Sequence, residues 1–393
     1  MDTKGQEALF VARCLIEEQV SVNIIDAGIR GQSPVPTDIS RDEVAAAGGK
    51  TLTEVQNIGH EGQALAVMTE GAIKCAQKLH RGNKIHGIIG LGGSMGTTLG
   101  TAVMRAFPVG IPKVMITTMA SRDTRAFVGT RDILMLHSVC DLSGLNRITN
   151  KILSNGAGAL AGMLHRVHPD VLFDQPLVFL STLGTTEVCA QNIRRQLEEK
   201  GKEVVIFHTV GSGGAAMEEM IEQEAVTAVV DLSLHEIADH NFGGDYDAGP
   251  HRGWAALKKR IPTILVPGNM DFLVSGPLDA AKRQFPGRAY HVHNAAITVV
   301  RTRQEEIKKM ARIVADLANK SRGPLSILVP LKGLSAFDSP EGPLPDPEAP
   351  DLFAQVLQKN IGTQISLKLL PHHINDAEFS GAIIEAFDDL LQK

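Results

Sequence analysis

The sequence predicts an α/β protein of two Rossmann-like domains. Their sheets are expected to be mainly parallel with helices on both faces, related by an internal duplication and separated by an interdomain cleft. Three observations carry this expectation. Short β-rich runs alternate with longer helical periodicities along the whole chain, which is the pattern of parallel sheets covered on both faces. The order of elements in the first half recurs in the second. A length of 393 residues with 43% hydrophobic content is enough to build a core for each half.

In chain order, the expected strands of the first half are Val20–Ile25, Ile85–Gly90, Lys113–Thr118 and Ile133–Leu136. Those of the second are Leu177–Ser181, Val204–Thr209, Ala228–Leu232, Thr263–Pro267, Leu325–Val329 and Gln364–Leu369. Helical patterns cover Gln6–Gln19, Glu61–Leu79, Val188–Gly201 and Glu305–Lys320. Thr302 with Glu305 reads as a capping box for the last of these, and Glu305 with Lys309 as an i,i+4 pair. Asp338–Pro350, dense in proline and acidic residues, reads as a surface excursion.

The repeat aligns V-N-I-I-D-A-G-I-R-G with V-V-I-F-H-T-V-G-S-G-G, and I-H-G-I-I-G-L-G-G with V-T-A-V-V-D-L-S. It also aligns I-P-K-V-M-I-T-T with I-P-T-I-L-V-P-G. The boundary is expected within His168–Pro176, giving domains 1–170 and 171–393. The turn Gly184–Glu187 follows a strand, whereas its first-half counterpart, Asp2–Glu7, follows only Met1. The first domain is therefore expected to lack a central strand, through a start placed too late or a gap that something else fills. Val20–Ile25 and Ile85–Gly90 should then not pair directly.

Composition excludes some classes of function. A net charge of −5, 4% aromatic residues and the absence of a basic run argue against a nucleic-acid platform. The apolar runs are too short to span a bilayer. Four isolated cysteines and an opening M-D-T-K-G-Q-E without a signal-peptide core lead us to expect a cytoplasmic protein.

Ligands of open parallel sheets gather at the carboxyl ends of strands, and the distinctive residues fall there. The loop G-L-G-G-S-M-G-T-T at 90–98 reads either as a phosphate cradle or as a bare strand-to-helix turn. It is not a P-loop, because no lysine precedes its final hydroxyls, and Met95 interrupts a dinucleotide fingerprint. Thr3 with Gln6 makes a capping box, but Lys4 in a first helical turn opposes the macrodipole and is better explained by a neighbouring anion. Further cleft candidates are Thr117, Thr118, Asp123, Gly213, Gly214, His235, Gly243, Gly244, Asp271, His372, His373, Asn375 and Asp376. Asn375 has the alternative of capping the terminal helix. No metal is expected at H-E-I-A-D-H, because His240 lies at i+5 from His235 and off its helical face.

Taken together, D-T-K-G-x-E, G-L-G-G-S-x-G-T-T, D-T-R-x-F-V-G-T-R-D-I, I-L-S-N-G-A-G-A, L-K-G-L-S-A-F-D and P-H-H-I-N-D resemble one family over nearly the whole chain. That family is typified by the N-terminal ATP-binding domain of the tomato resistance protein against tomato mosaic virus. The resemblance implies a two-domain α/β fold, a homodimer, and ATP bound with Mg2+. It places the nucleotide at Asp2, Thr3, Lys4, Gly92, Gly93, Ser94, Gly96, Thr97 and Thr98. Arg122 and Ala126 depart from the glycine and proline the family pattern leads us to expect. The reading is thus a cytoplasmic nucleotide-binding protein. One alternative is an enzyme using His372, His373, His235 or Asp271 as acid–base groups on a small metabolite. Another is an oligomeric interaction module that nucleotide stabilises.

Overall fold

A computed structural model describes residues 3–31, 33–166 and 174–392. Asp2 and most of the expected boundary stretch, including residues 168–173, lie outside the described residues. The chain divides into two units, Met1–Asp170 and Val171–Lys393.

Unit 1 opens with α1 (Gly5–Glu17), α2 (Arg41–Ala47), α3 (Leu52–Gln56) and α4 (Glu61–Arg81). The sheet follows: β1 (Ile88–Gly92), α5 (Ser94–Arg105), β2 (Lys113–Thr117), α6 (Arg125–Val128), β3 (Leu134–His137) and α7 (Thr149–His165). β1, β2 and β3 pair in that order, all parallel. Side chains alternate across the pleat. Val114 and Ile116 of β2 and Ile89 and Leu91 of β1 pack with α1 and α7, while Ile88 packs with α4 and α5 on the other face.

Unit 2 begins with β4 (Leu177–Thr182), α8 (Glu187–Glu199), β5 (Glu203–His208), α9 (Ser212–Gln223), β6 (Val226–Ser233), α10 (His235–Phe242) and α11 (Ala255–Lys258). It continues with β7 (Thr263–Gly268), β8 (Phe272–Ser275), α12 (Leu278–Gln284), β9 (Tyr290–Asn294), β10 (Ile297–Arg301) and α13 (Gln304–Asn319). It closes with β11 (Leu325–Pro330), α14 (Ala349–Asn360), β12 (Ser366–Leu370) and α15 (Ala377–Leu391). Six parallel strands run in the order β12-β11-β7-β6-β4-β5. Ala228, Val230 and Leu232 of β6 face α8 and α15, and Val229 faces α9 and α11 on the opposite side.

The structure corrects several expectations. Val20–Ile25 forms no ladder; its one bridge joins Ile25 to Ile39. Among the described residues no backbone hydrogen bond joins it to β1, as the missing-strand argument requires. An antiparallel ribbon in the order β8-β10-β9 was not anticipated. Its β9–β10 connection carries a register shift at Ile297/Thr298 and lacks an Asn-Gly turn signal. Asp338–Pro350 is not a plain surface excursion, because Asp338 and Leu344 are buried and α14 starts at Ala349. The α13 cap falls one residue later than Thr302: Glu306 accepts from the backbone N–H of Arg303 at 2.8 Å. Glu305 pairs with Lys308 rather than Lys309. Thr3 does not cap α1, whose N-cap is Lys4 with no side-chain capping bond.

Candidate functional site

The glycines of the 90–98 loop have different causes. A Cβ on Gly90 would come within 2.8 Å of the Met115 sulfur, and one on Gly92 within 2.9 Å of Gly96 Cα. One on Gly96 would sit 3.2 Å from the Leu91 carbonyl oxygen. These three permit β1, β2 and α5 to approach closely, as the bare-turn reading of the loop requires. Gly93 is different: the nearest atom to a Cβ there is Thr118 Oγ1 at 3.9 Å. Packing does not demand a glycine at that position.

Gly93 is the N-cap of α5, which has no side-chain capping bond and no acidic residue in its first turn. The first N–H groups of a helix have no intrahelical partner and carry the positive end of its dipole. Thr97 Oγ1 donates to the Gly93 carbonyl at 2.7 Å and shares a hydrogen bond with Thr117 Oγ1 at 2.5 Å. Thr117 Oγ1 also accepts from Met119 N–H. Thr97 and Thr117 are both wholly buried, so they hold β2 against α5 and are not available to a ligand. Thr98 Oγ1 is turned back onto the Ser94 carbonyl.

A cavity of about 1090 Å³ opens beside this turn. Its walls include Thr3, Lys4, Gly92, Gly93, Ser94 and Gly96 together with many aliphatic side chains. Six of the nine residues expected at the nucleotide therefore line one space. Thr97 and Thr98 do not line it, and Asp2 is outside the described residues. Glu61 is a carboxylate in the lining, and it is paired with Arg30 at 3.2 Å.

The remaining unit 1 candidates lie in the β2–α6 loop. Thr118 is half-buried. Asp123 is exposed, and its hydrogen bonds to the Arg125 side chain and backbone bring its pKa down to about 2. Arg122 stands in this same loop, and Ala126 lies in α6, which follows it.

In unit 2 the glycine turn after β5 is filled by the protein itself. Glu236 Oε1 accepts from Gly211 N–H at 2.7 Å and Gly214 N–H at 3.0 Å, at the start of α9. A Cβ on Gly213 would meet the His208 carbonyl at 1.8 Å, and one on Gly214 would meet Glu236 at 1.7 Å. Both glycines are therefore set by packing. Arg252, fully buried, binds Glu236 at 2.6 Å and grips Asp231 with two bonds of 2.6 and 2.7 Å. Sequence patterning offered no signal for Arg252, which stands alone in a loop.

The H-E-I-A-D-H residues also serve the fold. His235 is wholly buried, with Nδ1 2.9 Å from the Asn269 carbonyl and Nε2 3.3 Å from Asp239. Burial, the largest single influence, would lower its pKa, but the Asp239 carboxylate, the Asn269 carbonyl and Glu236 together raise it. His240 binds Asp247 instead. Among the described residues no group of three His, Cys, Asp or Glu side chains is placed to hold a metal. Gly243 ends α10 with φ +80°, and Gly244 lies against the Asp239 carboxylate.

Asp271 is buried against Ser335 at 2.7 Å and Arg301 at 3.3 Å, and Arg301 also reaches Asp338 at 2.9 Å. Two buried carboxylates thus share one guanidinium. Burial and the neighbouring Asp271 charge push Asp338 up to about 7. His373 Nε2 lies 2.9 Å from the Ser335 carbonyl, its backbone N–H donates to Asp376, and His372 is half-buried. Asn375 does not cap the terminal helix. Its Oδ1 accepts from Cys189 N–H in α8, and Asp376 occupies the α15 N-cap.

Residues 1–169 match the N-terminal domain of the uncharacterised protein family UPF0261, and residues 175–391 match its C-terminal domain. The chain belongs to this family. It is 34% identical to a UPF0261 protein of Clostridium tetani over 394 residues, spanning the whole chain and 98% of that protein. It is 32% identical to a UPF0261 protein of Rhizobium meliloti over 99% of this chain and 97% of the relative. The ToMV resistance protein Tm-1(GCR237) of Solanum lycopersicum is 34% identical over 340 residues, 84% of this chain and 45% of the tomato protein.

Proposed function

We propose that the chain is a cytoplasmic, homodimeric nucleotide-binding protein that holds the phosphates of ATP at the start of α5. The observation carrying this reading is Gly93. Its bareness answers no packing need, it caps a helix that has no side-chain cap, and it lines the same cavity as Lys4. Backbone N–H groups at a helix N-terminus with a nearby ammonium suit an anion of several charges.

Ser94 and Thr3 add hydroxyls to the cavity lining, and its aliphatic walls suit a base. The fit for Mg2+ is poorer. Its usual ligand is a carboxylate, and the one among the described lining residues, Glu61, is already paired with Arg30. Magnesium would then be held mainly by the phosphates and water, with Ser94 as the nearest protein hydroxyl. When bound, the ion would neutralise phosphate charge. The chain's own part is to orient the phosphates through the Ser94 and Met95 N–H groups and to balance them with Lys4.

The test is calorimetry with ATP, ADP and AMP, each with and without Mg2+. Affinity that rises with the number of phosphates supports the reading. Equal or absent binding of all three overturns it.

A further inference from the structure

In unit 2 the connection between β11 and α14 is held at a single charged point. We propose that Asp271, Arg301 and Asp338 form a proton-operated latch. A proton on the buried carboxyl pair keeps residues 336–347 closed over the end of β7, and ionisation of both carboxyls releases them. The nucleotide reading plays no part in this inference.

The segment has few anchors of its own. Pro340, Pro343, Pro345 and Pro347 have no backbone N–H and cannot join a sheet. The N–H groups of Gly342 and Leu344 bond within the segment, to the carbonyls of Ser339 and Phe337, and that of Asp338 bonds to Ser335. Beyond residues 334–349, its polar ties among the described residues run to one side chain. That side chain is Arg301, 2.9 Å from Asp338 and 3.6 Å from Asp346. Asp338 also accepts from the N–H groups of Leu334 at 3.2 Å and Asp346 at 3.0 Å, so one carboxyl both folds the segment and ties it down.

The charges at this point do not balance. Three carboxylates, Asp271, Asp338 and Asp346, meet the one guanidinium of Arg301, and the first two are buried. Other ionisable neighbours are engaged elsewhere. His235 of α10 acts on Asp271 but is paired with Asp239 at 3.3 Å. His373 lies 2.9 Å from the Ser335 carbonyl, His291 of β9 packs on the Phe337 ring, and Glu348 is bonded to Gln304. Asp271 Oδ1 and Arg301 Nε and Nη2 are buried without a hydrogen-bond partner. Two buried carboxylates sharing a site do not both ionise cheaply. Burial and the Asp271 charge accordingly push Asp338 up to about 7, and burial raises Asp271. In the open segment Asp338 meets water and returns to its ordinary 3.8. The closed form therefore binds a proton that the open form releases, and opening becomes easier as pH rises from about 4 to about 7.

The segment covers groups that could act on a solute. Ser335 Oγ donates to Asp271 at 2.7 Å, and the Leu334 carbonyl accepts from Asn269 N–H at 2.9 Å. Phe337 packs on Phe272, whose ring in turn meets His235. Ser335, Asp271, Asn269 and His235 are all wholly buried in this closed form. They stand at the carboxyl ends of parallel strands, where ligands gather, so opening exposes a hydroxyl, a carboxylate and an imidazole there.

The test is hydrogen exchange of the full chain without nucleotide at pH 5, 6, 7 and 8, corrected for the intrinsic rate of each amide. The amides of Asp338, Gly342, Leu344 and Asp346 should exchange faster than those of β7 and β11 at every pH. Their opening constant should rise by at least about tenfold from pH 5 to 7, and Asp338→Asn should abolish that rise. Protection equal to that of β7 and β11, protection indifferent to pH, or an undiminished rise in Asp338→Asn would overturn the latch. If Asp338→Asn does not fold, infrared spectra of the wild-type chain with isotope-labelled aspartate decide. The band of a protonated aspartate carboxyl should disappear between pH 6 and 8, and the absence of any such titration overturns the proposal.

Discussion

Replacing Arg252 with methionine should destabilise unit 2 far more than loss of one surface charge would. The guanidinium is wholly buried, bonded to Asp231 through both Nη atoms and to Glu236 through Nε, with Glu218 3.4 Å away. Methionine keeps the volume but leaves these carboxylates facing one another. Asp231 retains Ser181 Oγ at 2.6 Å, and Glu236 retains Gly211 and Gly214, so the hydrogen bonding is only partly lost. Removing one member of a buried ionic cluster costs about 3–5 kcal/mol. For a unit of this size that is a drop of roughly 6–20 °C in melting temperature. Trp254, the only tryptophan, lies two residues away, so its fluorescence in urea reports the same unit. Burial already raises the Glu218 and Glu236 pKa values, with Arg252 opposing it, and losing Arg252 pushes both further up. A carboxylate whose folded pKa exceeds its unfolded value loses stability as pH rises through the folded pKa. The variant should therefore recover relative to wild type as pH falls from 8 to 5, and adding Asp231→Asn and Glu236→Gln should restore part of the loss. A cost under about 1 kcal/mol, or a pH profile parallel to wild type, would refute the reasoning.

Gly93→Val should leave the fold intact, with a melting temperature within about 3 °C of wild type, because its Cβ meets nothing closer than 3.9 Å. ATP affinity by calorimetry should fall more than about tenfold, and an unchanged affinity would remove the loop from the site. Lys4→Ala should weaken ATP binding and flatten its salt dependence. A higher melting temperature with unchanged binding would instead mark Lys4 as an unfavourable charge at the start of α1. Asp338, held near 7 against its ordinary 3.8, binds a proton in the folded state that the unfolded chain releases. Stability should therefore decline as pH rises from about 4 to about 7, by at most about 4 kcal/mol. Urea titrations across that range should show the slope in wild type and a flatter profile in Asp338→Asn.

The sequence alone determined the kind of fold, because periodicity and turn composition are local properties. Strands such as Lys113–Thr117 and Leu177–Thr182 are short, mostly apolar runs without a polar alternation, which suits a sheet covered on both faces. The repeat of strand and helix order was enough to indicate where β1 would lack a partner, since connectivity limits strand position. The glycine-rich turn was equally visible, but its meaning was not. Only the packing of β1 on α5 separates Gly90, Gly92 and Gly96, whose hydrogens face neighbouring atoms, from Gly93, whose hydrogen does not. Tertiary structure likewise decided that Thr97 holds β2 and that Asn375 holds α8. It also decided that the unit 2 glycine turn receives Glu236, whose carboxylate Arg252 reaches across 16 residues of chain. Each of these depends on which side chain arrives from a distant segment. Nothing in a local pattern encodes that, because long-range partners are selected by the geometry of the finished core.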